Sequence, residues 1–482
     1  MVFSDLLFLF VFIPSFAICY MLAALGDKAM SKGAIEKRVL LQNIVTVLFS
    51  LIFYGWGEPV YVFLMLFCVF LNYLSGLGID HFEGKRRKVA LTLGLVANLA
   101  ILCTFKYANL FAQTLCDIGI DVPLPNIALP IGISFYTFQS ISYLVDVYRK
   151  QSPAQRHFGN LLLYISMFPQ LVAGPIVRYD TIAREINSRT VSASDVAEGI
   201  FRFLIGLGKK VIIANQFSEI ADQFLTDGIN NLSTVGAWIG IFAYAFQIYF
   251  DFSGYSDMAI GMGRCMGFHF NENFDHPYAS RSITEFWRRW HISLGSFFRD
   301  YLYIPLGGNR RHQMVNILIV WTLTGLWHGA SWNFMLWGLY FGAILLVEKY
   351  LIFRFVEKIP RLFMHLYTCA IVLISWGLFY FDNFELLGKF YASLFGQSAV
   401  VADIAEESAL TNNFWLWVVA VVFCLPTRKY VANLTERLLA KHDKTLTFVN
   451  VSARTIASLI ILILSVALLV GATNNAFIYT RF

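Results

Sequence analysis

The chain has 482 residues, of which 57% are hydrophobic, 17% aromatic and 14% charged. Soluble globular domains carry roughly 25% charged residues, so this composition excludes one and points to an integral membrane protein. The net charge of +6 does not mark a nucleic-acid binder, because the 37 basic residues fall in short runs between apolar stretches, as cytoplasmic loops do.

Met1 to Leu25 is apolar for too long, and lacks the basic start, to be a simple cleaved signal peptide, so it is expected to form the first span. Apolar stretches follow at about Val39 to Trp56, Val60 to Ile79, Val89 to Phe111 and Ile127 to Val147. The connections alternate in charge. Lys28, Lys32, Lys37 and Arg38 fill the first, Gly57-Glu58-Pro59 the second, Lys85 to Lys88 the third, Asp117 and Asp121 the fourth, and Arg149, Lys150 and Arg156 follow the fifth span. The positive-inside rule then puts the N-terminus outside and every odd connection in the cytoplasm.

From Asn160 to Val177 the apolar run is interrupted by Phe168-Pro169 and Gly174-Pro175, which predicts a broken or re-entrant segment. A polar interruption at Val191 to Glu198 precedes an apolar helix ending near Lys209-Lys210. Leu232 to Phe252 is expected to span and to lead into a polar string, Gln247 to Asp257, which either glues helices or lines a cavity. Between Asp257 and Gln313 lie seven arginines, no lysine and four of the nine histidines, so this region is assigned to the cytoplasmic side. Further spans are read at Phe363 to Phe381, Phe414 to Cys424 and Ile456 to Ala472, with a basic connection holding Arg428, Lys429, Arg437, Lys441 and Lys444 before the last. The expected fold is all-α and polytopic, with roughly eleven transmembrane helices plus re-entrant and interfacial helices around a central cavity. One domain is expected over 1–482, with N-terminal spans at 1–157, a catalytic core at 158–346 and C-terminal spans at 347–482. The seven cysteines show no CxxC spacing, and His269, His276, His291 and His328 form no standard ligand pattern, so neither disulfides nor a metal site is expected.

Ser282 to Trp332 carries the chemistry. Ser282 and Glu285 form a capping box, and one amphipathic helix is expected from there to Pro305. At 100° per residue Trp287, Trp290, Leu294, Phe297, Phe298 and Tyr301 share an arc, while Arg288 and Arg289 lie outside it and His291 at its edge. Val315 to Val347 has no charged residue and is read as a single span with His328 about halfway along it. An ionisable group at membrane depth is a functional candidate by default, although a histidine that merely anchors helix packing is the bland alternative.

Several long strings resemble the bacterial branch of the membrane-bound O-acyltransferase family that contains the alginate O-acetylases. They are Leu129 to Gln139, Phe168 to Ile176, Asp251 to Asp257, Phe286 to His291 with Arg299-Asp300-Tyr301, Pro305 to Arg310, and Leu326-Trp327-His328-Gly329. The resemblance implies that His328 is the catalytic histidine and His291 the second functional position. It further implies acetyl-CoA as an acyl donor at the cytoplasmic face, no permanently bound cofactor, a bacterial inner-membrane location, and a separate exported SGNH-type acetyltransferase partner that passes acetyl to a polysaccharide. A neutral imidazole can take the proton of an attacking hydroxyl, which makes His328 the expected general base, with His291, or a nearby Asn or Tyr, stabilising the oxyanion or orienting the thioester. If both histidines serve one thioester, their imidazoles must lie within about a helix diameter, ~10–12 Å. The glycines of Pro305 to Arg310 permit the required reversal. Trp287, Trp290, Trp327 and Trp332 are then expected to narrow a cytosol-facing cavity around the pantetheine arm, with Arg288 and Arg289 at its mouth for the phosphates. Peptidoglycan O-acetylation and D-alanyl transfer to teichoic acid use related machinery. A lipid-linked sugar transporter is the non-enzyme alternative, against which stands the lack of two related halves.

Overall fold

A computed structural model describes residues 2–31, 39–172, 174–354, 359–427 and 443–472. Every regular element among them is helical. Two compact units form, one from Met1–Phe203 with Tyr255–Glu272, the other from Leu204–Gly254 with Asn273–Phe482.

The first unit is built on the long apolar helices Phe8–Met30, Leu40–Gly57, Tyr61–His81 and Gly84–Asp117. Their outward faces carry Leu22, Phe63 and Leu93, each more than 60% exposed, which suits lipid as the solvent. Polar groups turn inward instead. Asn72 and Asn98 exchange side-chain hydrogen bonds at 3.0 and 2.8 Å, joining two of these helices from within. The Asp27 carboxylate accepts from the Leu41 and Gln42 amides at 2.9 and 3.0 Å, satisfying the start of the next helix. Phe168 sets its ring edge-on against Phe8, Phe12 and Phe16 at the centre of the unit.

Seven helices among the described residues are long and apolar enough to cross a membrane, or eight if the bent pair Ile404–Thr411 and Phe414–Cys424 is one span. The expected figure of about eleven includes stretches that are interrupted or buried within the protein, which a test of helix length and composition does not register. Ile127 to Val147 is one: its helix starts only at Ile133, after Pro130, and is buried on all sides. The segment from Asn160 breaks as expected, into Phe158–Ser166 and Phe168–Leu171, with Met167 at ψ 113 interrupting the ladder. Thr234–Cys265, by contrast, runs on for 32 residues, so the string Gln247 to Asp257 lies within the helix rather than beyond it. Of the basic connections, Lys32, Lys37, Arg38, Arg428, Lys429, Arg437 and Lys441 lie outside the described residues, as do Ala173 and the Lys444 side chain.

In the second unit the expected single span Val315 to Val347 is two helices, Gln313–His328 and Trp332–Tyr350, folded back on each other. The helix ends where Gly329 takes an extended conformation, φ −164 and ψ 153, and Ser331 opens the next helix. The two helices approach so closely that a Cβ on Gly325 would strike the Phe334 carbonyl oxygen and one on Gly338 the Trp321 carbonyl oxygen. The expected helix from Ser282 to Pro305 is also broken, into Ile283–Arg289, Ile292–Phe298 and a π-turn at Arg299–Tyr303. The chain then reverses at Gly307 and Gly308, both with positive φ (111° and 55°), before the hairpin begins.

Gly338→Ala should force the hairpin apart and cost about 1–3 kcal/mol of stability. A lowered thermal midpoint of the detergent-solubilised protein is the expected result, with Gly388→Ala, where a Cβ meets nothing within 4 Å, as the unaffected control. Equal midpoints for Gly338→Ala and wild type would show that the close helix approach is not needed.

Candidate active site

His291 owes its position to a break in its own helix. Trp290 leaves the helical region at φ −98 and ψ 127, and His291 itself sits in the left-handed region at φ 46 and ψ 54. Such a conformation is uncommon for a residue with a Cβ and persists only when its surroundings hold it. Asn273 does so. Its carbonyl oxygen accepts from the Ile292 amide at 3.0 Å, and its side-chain Oδ1 accepts from the Ser293 amide at 3.2 Å and the Ser293 hydroxyl at 2.9 Å. The imidazole Nδ1 of His291 lies 3.1 Å from the same Oδ1.

That convergence fixes a tautomer. The Ser293 amide can only donate, so the atom it meets is the amide oxygen of Asn273, and His291 Nδ1 must carry the proton it gives to that oxygen. Nε2 is then left with its lone pair, and it is buried without a hydrogen-bond partner among the described residues. Burial holds the ring neutral, pushing its pKa down to about 3. A neutral Nε2 lone pair accepts a hydrogen bond but cannot donate one. The expected role of His291 as an oxyanion donor is therefore incompatible with this arrangement, whereas a role in holding a hydroxyl is compatible with it.

His328 is the last residue of Gln313–His328, not a mid-span residue, and is buried. Trp327, Trp337 and Phe379 enclose it edge-on at centroid distances of 5.0, 5.1 and 5.3 Å. Trp327 also meets the His291 ring at 5.8 Å, so with 5.0 Å to His328 one indole touches both imidazoles and keeps them within a helix diameter of ~10–12 Å.

The other expected site residues are divided. Trp290 is fully buried, stacked on Phe286 at 5.5 Å and set against Trp376 at 5.1 Å. Trp287 reaches the hairpin, touching Trp321, Trp337 and Phe341. Trp332 is 45% exposed and makes no ring contact with either histidine. In one continuous helix Trp332 would lie a turn from His328, and the break at Gly329 removes that spacing. Trp337 takes the place expected of it, because the reversed chain brings the next turn of the second helix back to His328. Arg289 is engaged by Glu285 at 2.7 Å, while Arg288 is exposed. Asn273, Trp337 and Phe379 carry no motif of their own in isolation. The only hint to Asn273 is its place in a polar Asn-Glu-Asn run ahead of the paired arginines.

Residues 90–388 match the model of MBOAT, the membrane-bound O-acyltransferase family. The chain is 41% identical to a probable alginate O-acetylase of Azotobacter vinelandii over 423 residues, 86% of this chain and 81% of that protein. It is 40% identical to a probable alginate O-acetylase of Pseudomonas aeruginosa over 406 residues, 82% of this chain and 75% of that one. It is 34% identical to the peptidoglycan O-acetyltransferase of Helicobacter pylori over 445 residues, 85% and 82% of the two chains. The chain belongs to the membrane-bound O-acyltransferase family and is a multi-pass membrane acyltransferase.

Asn273→Asp puts a carboxylate beside His291 Nδ1, which favours the imidazolium and raises the pKa of the ring. Neutral imidazole is then lost as pH falls through the raised value, so the acid limb of the acyl-transfer rate should move to higher pH than in wild type. Asn273→Ala removes the acceptor altogether and should slow turnover about 10–100-fold at every pH. A pH–rate profile of both variants checks this, and superimposable wild-type and Asp profiles would contradict the tautomer.

Proposed function

We propose that this protein is an O-acetyltransferase that takes acetyl from acetyl-CoA at the cytoplasmic face and moves it across the membrane for O-acetylation of an exported polysaccharide, alginate or a related exopolysaccharide. The observation that carries this reading is the single indole, Trp327, that joins two buried imidazoles, one of them with its acceptor lone pair fixed by Asn273. Higher identity to the probable alginate O-acetylases, 41%, than to the peptidoglycan O-acetyltransferase, 34%, favours the exopolysaccharide over peptidoglycan. Teichoic-acid D-alanylation is the more distant option, with 29% identity over 237 residues to the teichoic acid D-alanyltransferase of Streptococcus thermophilus.

In the proposed reaction the acceptor hydroxyl attacks the thioester carbonyl, forming the C–O bond as the C–S bond breaks. His328 takes the hydroxyl proton and returns it to the departing coenzyme A thiolate. His291 Nε2 accepts a hydrogen bond from the hydroxyl and aims it. Trp327, Trp290 and Trp287 give the donor apolar walls, and Arg288 is the exposed cation that can meet its phosphates. The acceptor hydroxyl belongs to an exported partner of the SGNH type, which delivers the acetyl to the polymer. Exposed Lys85, Arg86 and Lys88, beside the start of the helix Gly84–Leu102, favour a cytoplasmic third connection, and hence an N-terminus outside the inner membrane.

His328→Ala should abolish release of coenzyme A from acetyl-CoA and O-acetylation of the polymer, while the variant still inserts and purifies. His291→Ala should lower turnover with donor KM little changed, because the lost contact is to the acceptor. Near-wild-type rates for His328→Ala would end the assignment, and a wild-type protein that never releases coenzyme A would end the choice of donor.

A further inference from the structure

Glu348 is a fully buried carboxylate that the reaction scheme does not use. It lies near the end of Trp332–Tyr350 and makes no ion pair among the described residues. Its two oxygens are instead spent on the start of another helix, 64 and 65 residues earlier in the chain. Oε1 accepts from the Ile283 amide at 2.5 Å, and Oε2 accepts from both the Thr284 amide and the Thr284 hydroxyl at 2.8 Å. The next two amides are met locally, Glu285 by the Ser282 hydroxyl at 3.0 Å and Phe286 by the Ser282 carbonyl at 2.9 Å. All four donors of the first turn are thus satisfied, two of them by Glu348 alone. The helix start in turn supplies the positive end that makes a buried carboxylate tolerable without a cation.

We propose that Glu348 is a positioning residue for acyl transfer, setting the spacing of the two imidazoles; this rests on His291 and His328 being the reactive pair. The helix it holds, Ile283–Arg289, is followed at once by Trp290 and His291. The helix it stands on carries Trp337 against His328 and is locked to the His328 helix through Gly325 and Gly338. One side chain therefore ties the segment bearing one imidazole to the hairpin bearing the other. Trp287 contacts the same hairpin through Trp321, Trp337 and Phe341, but ring contacts slide, whereas three hydrogen bonds to one carboxylate define a register.

The test compares full-length wild type, Glu348→Gln, Thr284→Val and Thr284→Ser in detergent, by amide hydrogen exchange of 283–291 and by kinetics of coenzyme A release from acetyl-CoA. Glu348→Gln should speed exchange of 283–291 and lower kcat about 10–100-fold, with donor KM held within about twofold. Thr284→Val, which removes one bond of the three and keeps the shape, should fall between it and wild type, and Thr284→Ser should restore wild-type values. Should Glu348→Gln fail to insert, the Thr284 pair carries the comparison. Unchanged exchange, wild-type kcat, or a loss confined to KM overturns the inference. His291→Ala in the same assay separates it from its premise: a fully active His291→Ala protein removes the reactive pair itself, whereas an inactive one beside a fully active Glu348→Gln removes only the positioning role.

Discussion

A backbone amide buried away from water must find an acceptor, and in a chain cut into short helices the supply of unmet amides is large. This protein meets that constraint with side chains from distant parts of the sequence. Glu348 serves Ile283 and Thr284, Asn273 serves Ser293, and Asp27 serves Leu41 and Gln42. Each such bond closes a helix start and at the same time fixes the chain that follows it. The left-handed turn at His291 exists because Asn273 holds the next helix by both its main chain and its side chain. The same Oδ1 then dictates which nitrogen of the imidazole bears the proton. Backbone satisfaction and the chemistry of the site are thus one set of hydrogen bonds.

Around the two imidazoles the enclosure is aromatic. Trp327, Trp337 and Phe379 are all almost completely buried and meet the histidines in T-shaped contacts. Such walls exclude water without competing for the ring nitrogens, which leaves a lone pair such as that of His291 Nε2 available to a reacting hydroxyl. The cost is borne by the charged form. A ring so desolvated as His291 is held uncharged.

The two imidazoles are therefore unlike each other in environment although both are buried. One is anchored by three donors converging on an amide oxygen, the other by its place as the final residue of a helix packed in a glycine-lined hairpin. The proposed acyl transfer uses that asymmetry, with one group gaining a proton while the other aims the nucleophile.

By itself the sequence determined the membrane class, the helical content and the helix break near Phe168-Pro169, because composition, hydropathy and proline act locally, and it singled out the two histidines as candidates. It also carried the strings that mark the family. What only the tertiary structure decided is where helices stop for non-local reasons. Apolar runs look continuous whether they cross a membrane once or reverse inside a protein, so Val315 to Val347 read as one span until the close approach of Gly325 and Gly338 defined a hairpin. Trp332 was drawn to His328 by helical spacing and lost it at Gly329, while Trp337 gained the position through the reversal. Asn273 and Glu348 were invisible in the same way: an acceptor that serves amides many residues away leaves no periodic trace, and its partner is chosen by packing rather than by spacing.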